Sequence, residues 1–515
     1  MSFNIENIPH YNEIHAAHGT YNENDIPAKR TATLVERQRN QNKVLPSLED
    51  AIRFTGLKDG MTISFHHHFR NGDYVINMVM DVIARMGFKN LVLAASSLTD
   101  IHEPLIEHIR NGVITHIETS GLRGKLADEI SHGLMDFPVV FRSHGGRAAA
   151  IETNELHIDI AFLGAPSCDP YGNANGYNRD DDTGSCCGSL GYAKLDAIKA
   201  DKCIIITDHI VPFPNAPFGI PESQVDCVVK VDSVGDPKGI MSGATRYTKN
   251  PKELLIAKTA ADVIEASGYF YDGFSMQMGS GGASLATARY LRDKMIQKNI
   301  KCRFALGGIT GQIVSMHEEG LVQKILDVQS FDLIAANSLK NNRFHQQIDA
   351  SYYASYVNRG SAVNQLDFVI LSALEIDTDF NVNVLTGSDG IIRGAIGGHP
   401  DTAAGASLSV VVAPLLRGRI PCVVDKVNTI VTPGRTVDVV VTDQGVAVNP
   451  ARPEIKQRLI DAGIQVFTIE QLKERAERIV GVPEPIPYTD KIVGVVMYRN
   501  NTVIDVIRQV KETTL

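Results

Sequence analysis

The sequence predicts an α/β fold of two related domains, each with a mostly parallel open sheet that is flanked by helices. Three observations lead to this fold class. Short apolar runs typical of strands alternate with segments of helical periodicity. The order strand, tight loop, helix and strand occurs twice, and each copy begins with an Asp-Gly turn, at Asp59-Gly60 and at Asp272-Gly273. Because a βαβ unit joins parallel neighbours, two copies imply two related sheets.

The first copy runs from a short strand into a helix and then into a second strand, Leu91 to Ala95. The helix is predicted over Asp73 to Met86, where apolar residues recur at helical spacing: Val75, Ile76, Val79, Val82 and Ile83. The second copy repeats this order, with a helix over Ala283 to Lys298 and a strand over Arg303 to Leu306. In sheets of this kind, ligands bind beyond the carboxyl ends of the strands.

The boundary between the domains is predicted near Val231 to Asn250, a stretch that is rich in Gly, Pro and Ser and lacks periodicity. We therefore predict an N-terminal extension over residues 1–45, a first domain over 46–235 and a second domain over 236–515. The extension is polar and carries a basic patch, Lys29, Arg30, Arg37 and Arg39. A solvated arm that packs on a partner subunit is favoured over a binding site for this segment.

The composition of the 515-residue chain limits the classes of function. A net charge of −9 gives no support to nucleic-acid binding. No apolar run reaches the ~18–20 residues that span a bilayer, and the polar N-terminus lacks the pattern of a secretion signal. The seven scattered cysteines fit free thiols in a reducing cytosol. We predict a cytoplasmic protein with neither a nucleic-acid nor a membrane partner.

The segment Ser372 to Pro450 carries the strongest candidate for a catalytic site. Within it, Gly397-Gly398-His399-Pro400-Asp401 is predicted to form a turn after a strand. Adjacent glycines let the backbone approach a ligand and direct N–H groups at it, which suits a thioester or carboxylate oxygen. The alternative is a tight turn in which only glycine fits. We predict a catalytic site at four residues: Gly397, Gly398, His399 and Asp401.

A second glycine-rich loop, Met276 to Gly282, precedes the helix that begins at Ala283. Glycines before a helix N-terminus favour anion binding. A dinucleotide-binding loop is disfavoured, because Ser284 stands where the third glycine belongs and no acid follows about 20 residues on, as that motif requires. This loop is therefore a second candidate for ligand binding.

Three consecutive histidines lie in the segment Ser64 to Asp73. Neighbouring strand residues point to opposite faces, so His66 and His68 can share one side while His67 faces away. No HxxxH or CxxC spacing accompanies them, so a metal site is disfavoured and none is predicted. His66, His68 and Arg70 are candidate donors to a polyanionic substrate. Further candidate anchors for a carboxylate are Arg142, His144, Gly145, Gly146, Arg147 and Arg393.

Three motifs resemble the series SAxEVD, GxGGxxD and VTxxGVA of the CoA-transferase superfamily: Ser372 to Asp377, Gly394 to Asp401 and Thr442 to Ala447. Over residues 45–515, including Ser64 to Asp73, the chain resembles the citrate lyase alpha subunits. The resemblance implies two CoA-transferase-like domains. It also implies a citrate CoA-transferase, the acyl-exchange component of the citrate (pro-3S)-lyase complex. In that reaction, acetyl thioester and citrate give citryl thioester and acetate.

The run Leu306 to Gln312 departs from many CoA transferases, which place a nucleophilic glutamate there. This chain has Thr310-Gly311 where those enzymes have Thr-Glu, and Gln312 follows. A carboxamide cannot replace a carboxylate as nucleophile. The departure argues against a glutamyl thioester, and the family resemblance implies a non-covalent ternary complex and a mixed anhydride instead.

The resemblance implies that the thioester is carried by a CoA-like prosthetic group of an acyl carrier protein, with CoA thioesters as surrogates. No cofactor is expected to be bound tightly by this chain. The expected partners are the acyl carrier protein subunit and the citryl lyase subunit of a hetero-oligomeric complex, with citrate and acetate as small ligands. The residues assigned to the thioester and its carrier are Gln277, Gly279, Gly281, Gly282, Gly307 and Gly308.

Two other functions remain open. One is a CoA transferase or hydrolase that acts on another carboxylate through a glutamyl intermediate, at Glu375 or Glu318. The other is a non-catalytic scaffold that docks the carrier protein. The glycine loops favour catalysis, because a scaffold has no need of them.

Overall fold

A computed structural model of the chain describes Pro9 and residues 42–178, 186–241 and 248–511. The chain divides into two compact units, residues 1–41 and 42–515. The first unit, with the predicted basic patch at Lys29 to Arg39, lies outside the described residues apart from Pro9. Both large sheets belong to the second unit.

The strands of the first half are short and mostly buried. In chain order they are β1 (Val44–Leu45), β2 (Thr62–Phe65), β3 (Leu91–Ala95), β4 (Ile114–Thr119), β5 (Val139–Phe141), β6 (Ile160–Ala165), β7 (Ser167–Cys168), β8 (Ala174–Asn175), β9 (Lys202–Thr207) and β10 (Cys227–Lys230).

The second half continues the same pattern and ends in a long hairpin. Its strands are β11 (Phe274–Met278), β12 (Cys302–Ile309), β13 (Ile325–Ser330), β14 (His345–Gln347), β15 (Phe368–Ser372), β16 (Glu375–Asp377), β17 (Val382–Asn383), β18 (Leu408–Val412), β19 (Leu416–Arg417), β20 (Ile420–Pro421), β21 (Val423–Val424), β22 (Val439–Thr442), β23 (Gly445–Val448), β24 (Val466–Phe467), β25 (Tyr488–Met497) and β26 (Val503–Val510).

Helices connect most of the parallel strands. They are α1 (Leu48–Thr55), α2 (Val75–Arg85), α3 (Leu105–Arg110), α4 (Gly124–Ser131), α5 (His144–Glu152), α6 (Gly191–Lys199), α7 (Pro251–Ser267), α8 (Gly282–Lys298), α9 (Gly311–Glu318), α10 (Leu333–Asn341), α11 (Ala350–Ala354), α12 (His399–Gly405), α13 (Pro453–Asp461) and α14 (Ile469–Val480).

Within the described residues, ten strands form one large sheet and nine form another. The first has the order β1-β10-β9-β6-β2-β3-β4-β5-β25-β26, and the second β14-β13-β12-β11-β15-β18-β22-β23-β24. Seven strands correspond in order, because β10-β9-β6-β2-β3-β4-β5 matches β22-β18-β15-β11-β12-β13-β14. Neighbours run parallel except for β25 with β26 and β22 with β23. The predicted α/β class is confirmed.

Aspartates that directly precede a strand tie it to the start of its neighbour, in the same way in both sheets. Asp159 precedes β6 and accepts the Thr62 amide at 2.7 Å, and Asp367 precedes β15 and accepts the Ser275 amide at 2.8 Å. A second pair repeats the arrangement: Asp226 accepts from Cys203 at 2.7 Å, and Asp438 accepts from Ser409 at 2.8 Å. A charged acceptor strengthens a hydrogen bond to a backbone amide, so these contacts fix the strand register.

The predicted helices after the two Asp-Gly turns are α2 and α8, and the predicted strand Leu91 to Ala95 is β3. The sequence predicts that the Gly397 turn follows a strand, and the structure differs from this prediction. Isolated bridges precede the turn, and α12 begins at His399. Pro400 fits there, because the first turn of a helix has no intrahelical use for its N–H.

The C-terminal hairpin returns to the first sheet, where β25 pairs with β5. Residues before and after the second sheet therefore build the first one, and the predicted domain boundaries remain a prediction. The apolar core of the first sheet also includes Leu306, Val328 and Tyr353 from the second half. This shared core holds the carboxyl ends of the two sheets together.

All seven cysteines are free thiols, and most of them are buried. Burial raises the pKa of these thiols, for example to about 12 at Cys227. Among the helices of the described residues, none has the length and apolar character needed to cross a membrane.

Candidate active site

A cavity of about 840 Å³ lies where the carboxyl ends of the two sheets meet. Residues that follow β2, β3, β4 and β5 form one wall. Residues in the last positions of β11, β12, β13, β15 and β18, or just after these strands, form the other. Ligands of parallel α/β sheets bind at this edge, so the cavity occupies the expected position for a site.

The first-sheet wall is cationic. Arg70, beyond β2, and Arg123, beyond β4, both line the cavity. Burial and the nearby Arg123 lower the pKa of Arg70 to about 10, so its guanidinium remains charged at neutral pH. Hydroxyl side chains line the same wall, from Ser97, Thr99 and Ser120. Two guanidinium groups and several hydroxyls suit a ligand with more than one carboxylate.

The backbone of Arg70 is left-handed, with a φ of 53°. Such strain at a non-glycine residue costs on the order of 1–3 kcal/mol and occurs often at ligand sites. The Arg70 guanidinium lies 5.3 Å from the centre of the Phe331 ring, which belongs to the second half of the chain. A cation–π contact of this kind helps to hold the guanidinium in the cavity and joins the two walls.

Two histidines and a tyrosine stack along the cavity. The centre of the His144 ring lies 4.4 Å from that of Tyr192 and 5.9 Å from that of His67. Burial lowers the pKa of His144 to about 3 and that of His67 well below its usual value. Both imidazoles are therefore neutral at physiological pH, and they serve as hydrogen-bonding groups rather than as cations.

One part of the second-sheet wall is a glycine loop that presents backbone groups to the cavity. Residues 278–283 line the cavity, and α8 begins there with Gly281 as its N-cap. The Gly279 amide donates to Ile370 O at 2.7 Å, which holds the loop against β15. A Cβ atom on Gly281 would lie 2.1 Å from the Ser372 hydroxyl oxygen, so a larger residue at this N-cap would force the Ser372 side chain to shift. The positive end of the α8 dipole therefore lies at the cavity.

The Gly397-Gly398 turn also lines the cavity and is held by the first half of the chain. The His144 amide donates to Gly397 O at 2.9 Å. Gly397 has a φ of 57°, and a Cβ atom on Gly398 would lie 2.3 Å from the Tyr353 hydroxyl oxygen. In the described part of the chain, no acceptor binds the amides of Gly397 and Gly398. Two such amides are the donors that a developing oxyanion needs.

The His399 side chain has both ring nitrogens engaged. Its Nε2 lies 3.1 Å from the Ser372 carbonyl oxygen, which can only accept, so Nε2 carries the proton. Nδ1 therefore accepts from the Thr432 hydroxyl at 2.7 Å. Burial lowers the pKa of His399 to about 4. The geometry makes His399 an anchor for the start of α12 rather than a general base.

Asp401 lies behind the cavity wall and joins α12 to the start of α5. Its carboxylate accepts from the Ser143 hydroxyl and from the Gly145 amide, both at 2.9 Å. Arg499, at the tip of the C-terminal hairpin, approaches the same carboxylate at 3.7 Å. Burial raises the pKa of Asp401 to about 6, and Arg499 opposes that rise. Asp401 thus positions the first turn of α5, which carries His144.

The cavity brings together many of the predicted site residues. Those that line it are Arg70, His144, Gln277, Gly279, Gly281, Gly282, Gly308, Arg393, Gly397, Gly398 and His399. The others lie outside its lining: His66, His68, Arg142, Gly145, Gly146, Arg147, Gly307 and Asp401.

The histidine segment faces the cavity differently from the predicted alternation. His66 and His68 do lie together, with ring centres 3.8 Å apart, but both are buried behind the wall. His67 is the member that lines the cavity, and its Nδ1 lies 2.5 Å from the Ser96 hydroxyl. The reason is that β2 ends at Phe65, so the three histidines follow the strand and do not alternate across it.

Two other predicted anchors have partners inside the protein. Arg147 forms a bidentate pair with Asp196, with both N–O distances at 2.8 Å. Arg142 donates to Glu118 at 2.8 Å. Their charges are therefore neutralised within the fold.

The carboxylates of the alternative mechanism lie away from the cavity. Glu375 is buried and accepts from Asn383 at 2.8 Å and from the Asn428 amide at 3.0 Å. Glu318 belongs to a different, open groove beside α9 and α10. Among the described residues that line the cavity, the one carboxylate is Glu253, in the first turn of α7.

Sequence reasoning missed four residues at or next to the site. Arg123 follows the end of β4 just as Arg70 follows β2, so its position after a strand was an available signal. His67 was assigned to the opposite face. Tyr353 and Arg499 come from a short helix and from the C-terminal hairpin, and no motif marks either of them.

One group of side chains has ligand atoms close enough together for a metal ion among the described residues, His157, Asp159 and Asp201. It lies at the amino end of β6, on the sheet edge opposite the cavity. His157 and Asp201 are exposed.

A family model described as "Citrate lyase, alpha subunit (CitF)" matches residues 41–510. The chain is 60% identical to a citrate lyase alpha chain of Escherichia coli (strain K12) over 477 residues, which cover 93% of this chain and 92% of that relative. It is 57% identical to a citrate lyase alpha chain of Klebsiella pneumoniae over 488 residues, which cover 95% of each.

The fold is similar to two solved structures, one with high and one with low sequence identity to this chain. One is described as an alpha subunit of citrate lyase from Streptococcus mutans in complex with citrate. It is 58% identical with a TM-score of 0.90, and the match covers 93% of each chain. A 4-hydroxybutyrate CoA-transferase from Porphyromonas gingivalis is 17% identical with a TM-score of 0.53, covering 85% of this chain and 98% of that one. The second likeness concerns the fold alone.

Proposed function

The chain belongs to the citrate lyase alpha subunit family, and we propose that its cavity holds citrate and an acetyl thioester together for acyl exchange. As a member of this family, the chain is a citrate CoA-transferase and one subunit of a multi-subunit citrate lyase. Acetyl thioester and citrate give citryl thioester and acetate. One observation carries the mechanism: Arg70 and Arg123 from one sheet and glycine loops that present backbone amides from the other line a single cavity.

The exchange requires no net proton transfer. A citrate carboxylate oxygen bonds to the acetyl carbonyl carbon, and the carbonyl electron pair moves onto the carbonyl oxygen. Collapse of this oxyanion breaks the carbon–sulfur bond, so the thiolate leaves and an acetyl–citryl anhydride remains. The thiolate then attacks the citryl carbonyl, and acetate leaves. Neutral side chains suffice for this sequence, and the neutral imidazoles of His67 and His144 are consistent with it.

Arg70 and Arg123 bind the carboxylates of citrate that do not react. Their guanidinium groups are partly desolvated, which strengthens their attraction to a polyanion. Holding citrate beside the thioester makes the attack effectively intramolecular, and orientation of this kind supplies much of the rate of such reactions. The citrate complex of the Streptococcus mutans relative supports citrate as the ligand.

The amides of Gly397 and Gly398 stabilise the oxyanion. Both residues line the cavity, and neither amide has an internal acceptor among the described residues. Removal of one preorganised donor of this kind typically costs ~2.7–4 kcal/mol of transition-state stabilisation.

A glutamyl intermediate is disfavoured by the positions of the acids. Glu375 and Glu318 do not line the cavity, and Glu375 is held by two asparagines. Glu253 does line the cavity, in the first turn of α7 and next to the half-exposed Lys252. A nucleophile must reach the acyl carbon within ~3–3.5 Å. The hydrogen bonds of Glu375 and the position of Glu318 outside the cavity do not favour such an approach.

The thioester is carried by the CoA-like group of an acyl carrier protein, and the citryl thioester passes to a citryl lyase subunit. Apolar residues of the second-sheet wall suit such an arm: Leu371, Leu374, Pro414 and Leu416. The cavity volume lies within the ~300–1,000 Å³ range of small-molecule sites. A cytoplasmic location, these two partners and the absence of a tightly bound cofactor belong to the proposal.

The direct test is to incubate the purified chain with acetyl-CoA and citrate and to identify the products by mass spectrometry. We expect citryl-CoA and acetate in equal amounts, with no covalent mass added to the protein. A protein-bound CoA adduct during turnover would contradict the ternary complex and favour a glutamyl enzyme. If neither acetyl-CoA nor the acetylated carrier protein supports exchange, the transferase proposal is contradicted and a scaffold is favoured.

A further inference from the structure

The hydroxyl group of Tyr353 lies directly against the Gly397-Gly398 turn. Tyr353 lines the cavity, and its ring is buried. An added Cβ atom on Gly398 would lie 2.3 Å from the phenol oxygen and 3.2 Å from Cζ. Glycine at position 398 therefore allows a phenol and a backbone amide to share one small region of the cavity wall.

The hydrogen bonds of this phenol leave its proton available. The Gln277 side-chain amide donates to the Tyr353 oxygen at 2.9 Å. Within the described residues, no acceptor receives the Tyr353 proton. Burial raises the pKa of Tyr353, so the group is a neutral O–H donor throughout the physiological pH range and cannot act as a base.

The helix that carries Tyr353 is clamped at both ends. The Glu152 carboxylate, at the end of α5, accepts from the hydroxyls of Ser351 and Ser355, both at 2.5 Å. Asp349 caps the helix by accepting the Tyr352 amide at 2.7 Å. A donor held in this way requires little reorganisation when charge develops, which is the condition for effective oxyanion stabilisation.

We propose that the Tyr353 hydroxyl is a catalytic residue, a third donor to the oxyanion beside the amides of Gly397 and Gly398. The proposal rests on the acyl exchange described above. When citrate attacks the acetyl carbonyl, the electron pair that moves onto oxygen is stabilised by the phenol proton. That proton stays on Tyr353 throughout. Collapse of the oxyanion returns the pair to the carbonyl and expels the thiolate, and the same donors serve the attack on the citryl carbonyl.

The sequence around Tyr353 provides a matched control, because Tyr352 lies on the same short helix and is 39% exposed. Tyr353→Phe removes the hydroxyl and keeps the ring, and Tyr352→Phe makes the same chemical change outside the cavity. Each variant and the wild type would be assayed for citryl-CoA formation from acetyl-CoA and citrate, with circular dichroism and thermal melting as checks of folding.

We expect Tyr353→Phe to lower kcat by about 10²–10³-fold, the typical effect of losing one oxyanion donor. The KM values for citrate and acetyl-CoA should stay near wild type, because the donor acts in the transition state. Tyr352→Phe should match the wild type in both parameters. An active wild type establishes the exchange itself, so failure of the proposed function is distinguished from failure of the Tyr353 assignment.

Two results would overturn the assignment. An unchanged kcat in Tyr353→Phe would mean that the phenol proton is used elsewhere, for example on the Gln277 carbonyl. A rise in KM with kcat unchanged would mean ground-state binding only. If Tyr353→Phe does not fold, a fluorotyrosine at position 353 serves instead. Its more acidic phenol remains protonated at neutral pH and is a stronger hydrogen-bond donor, so kcat at neutral pH should rise, and an unchanged kcat would contradict the proposal.

Discussion

The two halves of the molecule share a hydrogen-bonded frame and differ in the loops that reach the cavity. Asp59 accepts the Lys89 amide and Asp272 accepts the Lys301 amide, both at 2.8 Å. The two pairs of aspartates before strands repeat in the same way. The frame is therefore duplicated down to single hydrogen bonds at the amino ends of the strands.

A second duplicated feature is a pair of Asp-Asn loops. Asp169 accepts the side-chain amide of Asn173 at 2.8 Å, and Asp377 accepts that of Asn381 at 3.1 Å. Each aspartate also accepts nearby backbone amides, which replaces the hydrogen bonds that a tight loop cannot make for itself. These loops extend the internal repeat beyond the two Asp-Gly turns that indicated it in the sequence.

The halves diverge at the carboxyl ends of their first strands. After β2 the first half places His67 and Arg70 in the cavity, and after β11 the second half places the glycine loop of α8 there. At these corresponding strand ends, the first half thus contributes a guanidinium and an imidazole, and the second contributes backbone donors. Arg393 and Arg417 of the second half also line the cavity, but each has a partner within the fold. We infer that residues at the amino ends of the strands stabilise the shared frame, while residues at the carboxyl ends form the site.

The largest expected effect is on the cationic wall of the first half. Arg70→Met should lower kcat/KM for citrate by about 10²–10³-fold, because loss of a desolvated charge contact typically costs ~2–5 kcal/mol. Arg70→Lys should recover only part of it, since an ammonium lacks the two-pronged guanidinium geometry. Steady-state kinetics with varied citrate would measure both variants.

The control for Arg70 is Arg147, whose guanidinium is paired with Asp196 inside the first half. Arg147→Met should lower the free energy of unfolding by about 3–5 kcal/mol, because it leaves a buried carboxylate unpaired. A selective rise in the KM for citrate in this variant would show that the comparison between the two arginines is wrong.

The next effect concerns the backbone donors. Gly398→Ala should lower kcat by about 10²-fold, because the added methyl group would displace Tyr353 from the turn. The same assay of Gly360→Ala provides the control, since Gly360 is exposed, has no left-handed backbone and lies outside the cavity lining. Equal activity of the two variants would argue against the turn as an oxyanion site.

A smaller effect should appear in the pH profile. The pKa of Asp401 is about 6, so its carboxylate is charged above that pH and protonated below it. Protonation weakens the ability of the Asp401 carboxylate to accept hydrogen bonds from Ser143 and Gly145. We therefore expect kcat to fall as the pH falls through about 6. Arg499 stabilises the charged form of Asp401. In Arg499→Met, the acid-side fall in kcat should therefore occur about one pH unit higher than in the wild type.

Citrate also titrates in the acid range, but its titration is the same for both enzymes, so the difference between their profiles reports on the protein. Tyr192, Tyr353 and Tyr498 also lie near Asp401, and their proton loss occurs only at high pH. Superimposable kcat profiles for the wild type and Arg499→Met would refute the link between the hairpin and the site.

The smallest effect tests the shared frame. Asp59→Asn and Asp272→Asn should each lower the free energy of unfolding by about 0.5–1.5 kcal/mol, because each weakens one exposed hydrogen bond to a backbone amide. The two losses should be similar, and kcat should not change. Thermal melting with parallel activity assays would check this, and a large loss of kcat in either variant would contradict the division between frame and chemistry.

The sequence by itself determined the fold class, the duplicated βαβ order, the helices α2 and α8, and the family. These properties follow from local signals, namely apolar periodicity, Asp-Gly turns and extended motifs that residues close in sequence carry. The glycine segments at 279–282 and 397–398 were identified for the same reason, since a glycine pair next to a helix start is visible without knowledge of its neighbours.

Only the tertiary structure decided which side chains meet. His67 and not His66 or His68 lines the cavity, because β2 ends one residue before the histidines begin. Arg147 forms an ion pair with Asp196. Tyr353 reaches the site from a five-residue helix, and Arg499 reaches it from the C-terminal hairpin. Contacts between residues hundreds of positions apart depend on how two sheets pack along a shared core, and local sequence patterns carry no information on that packing.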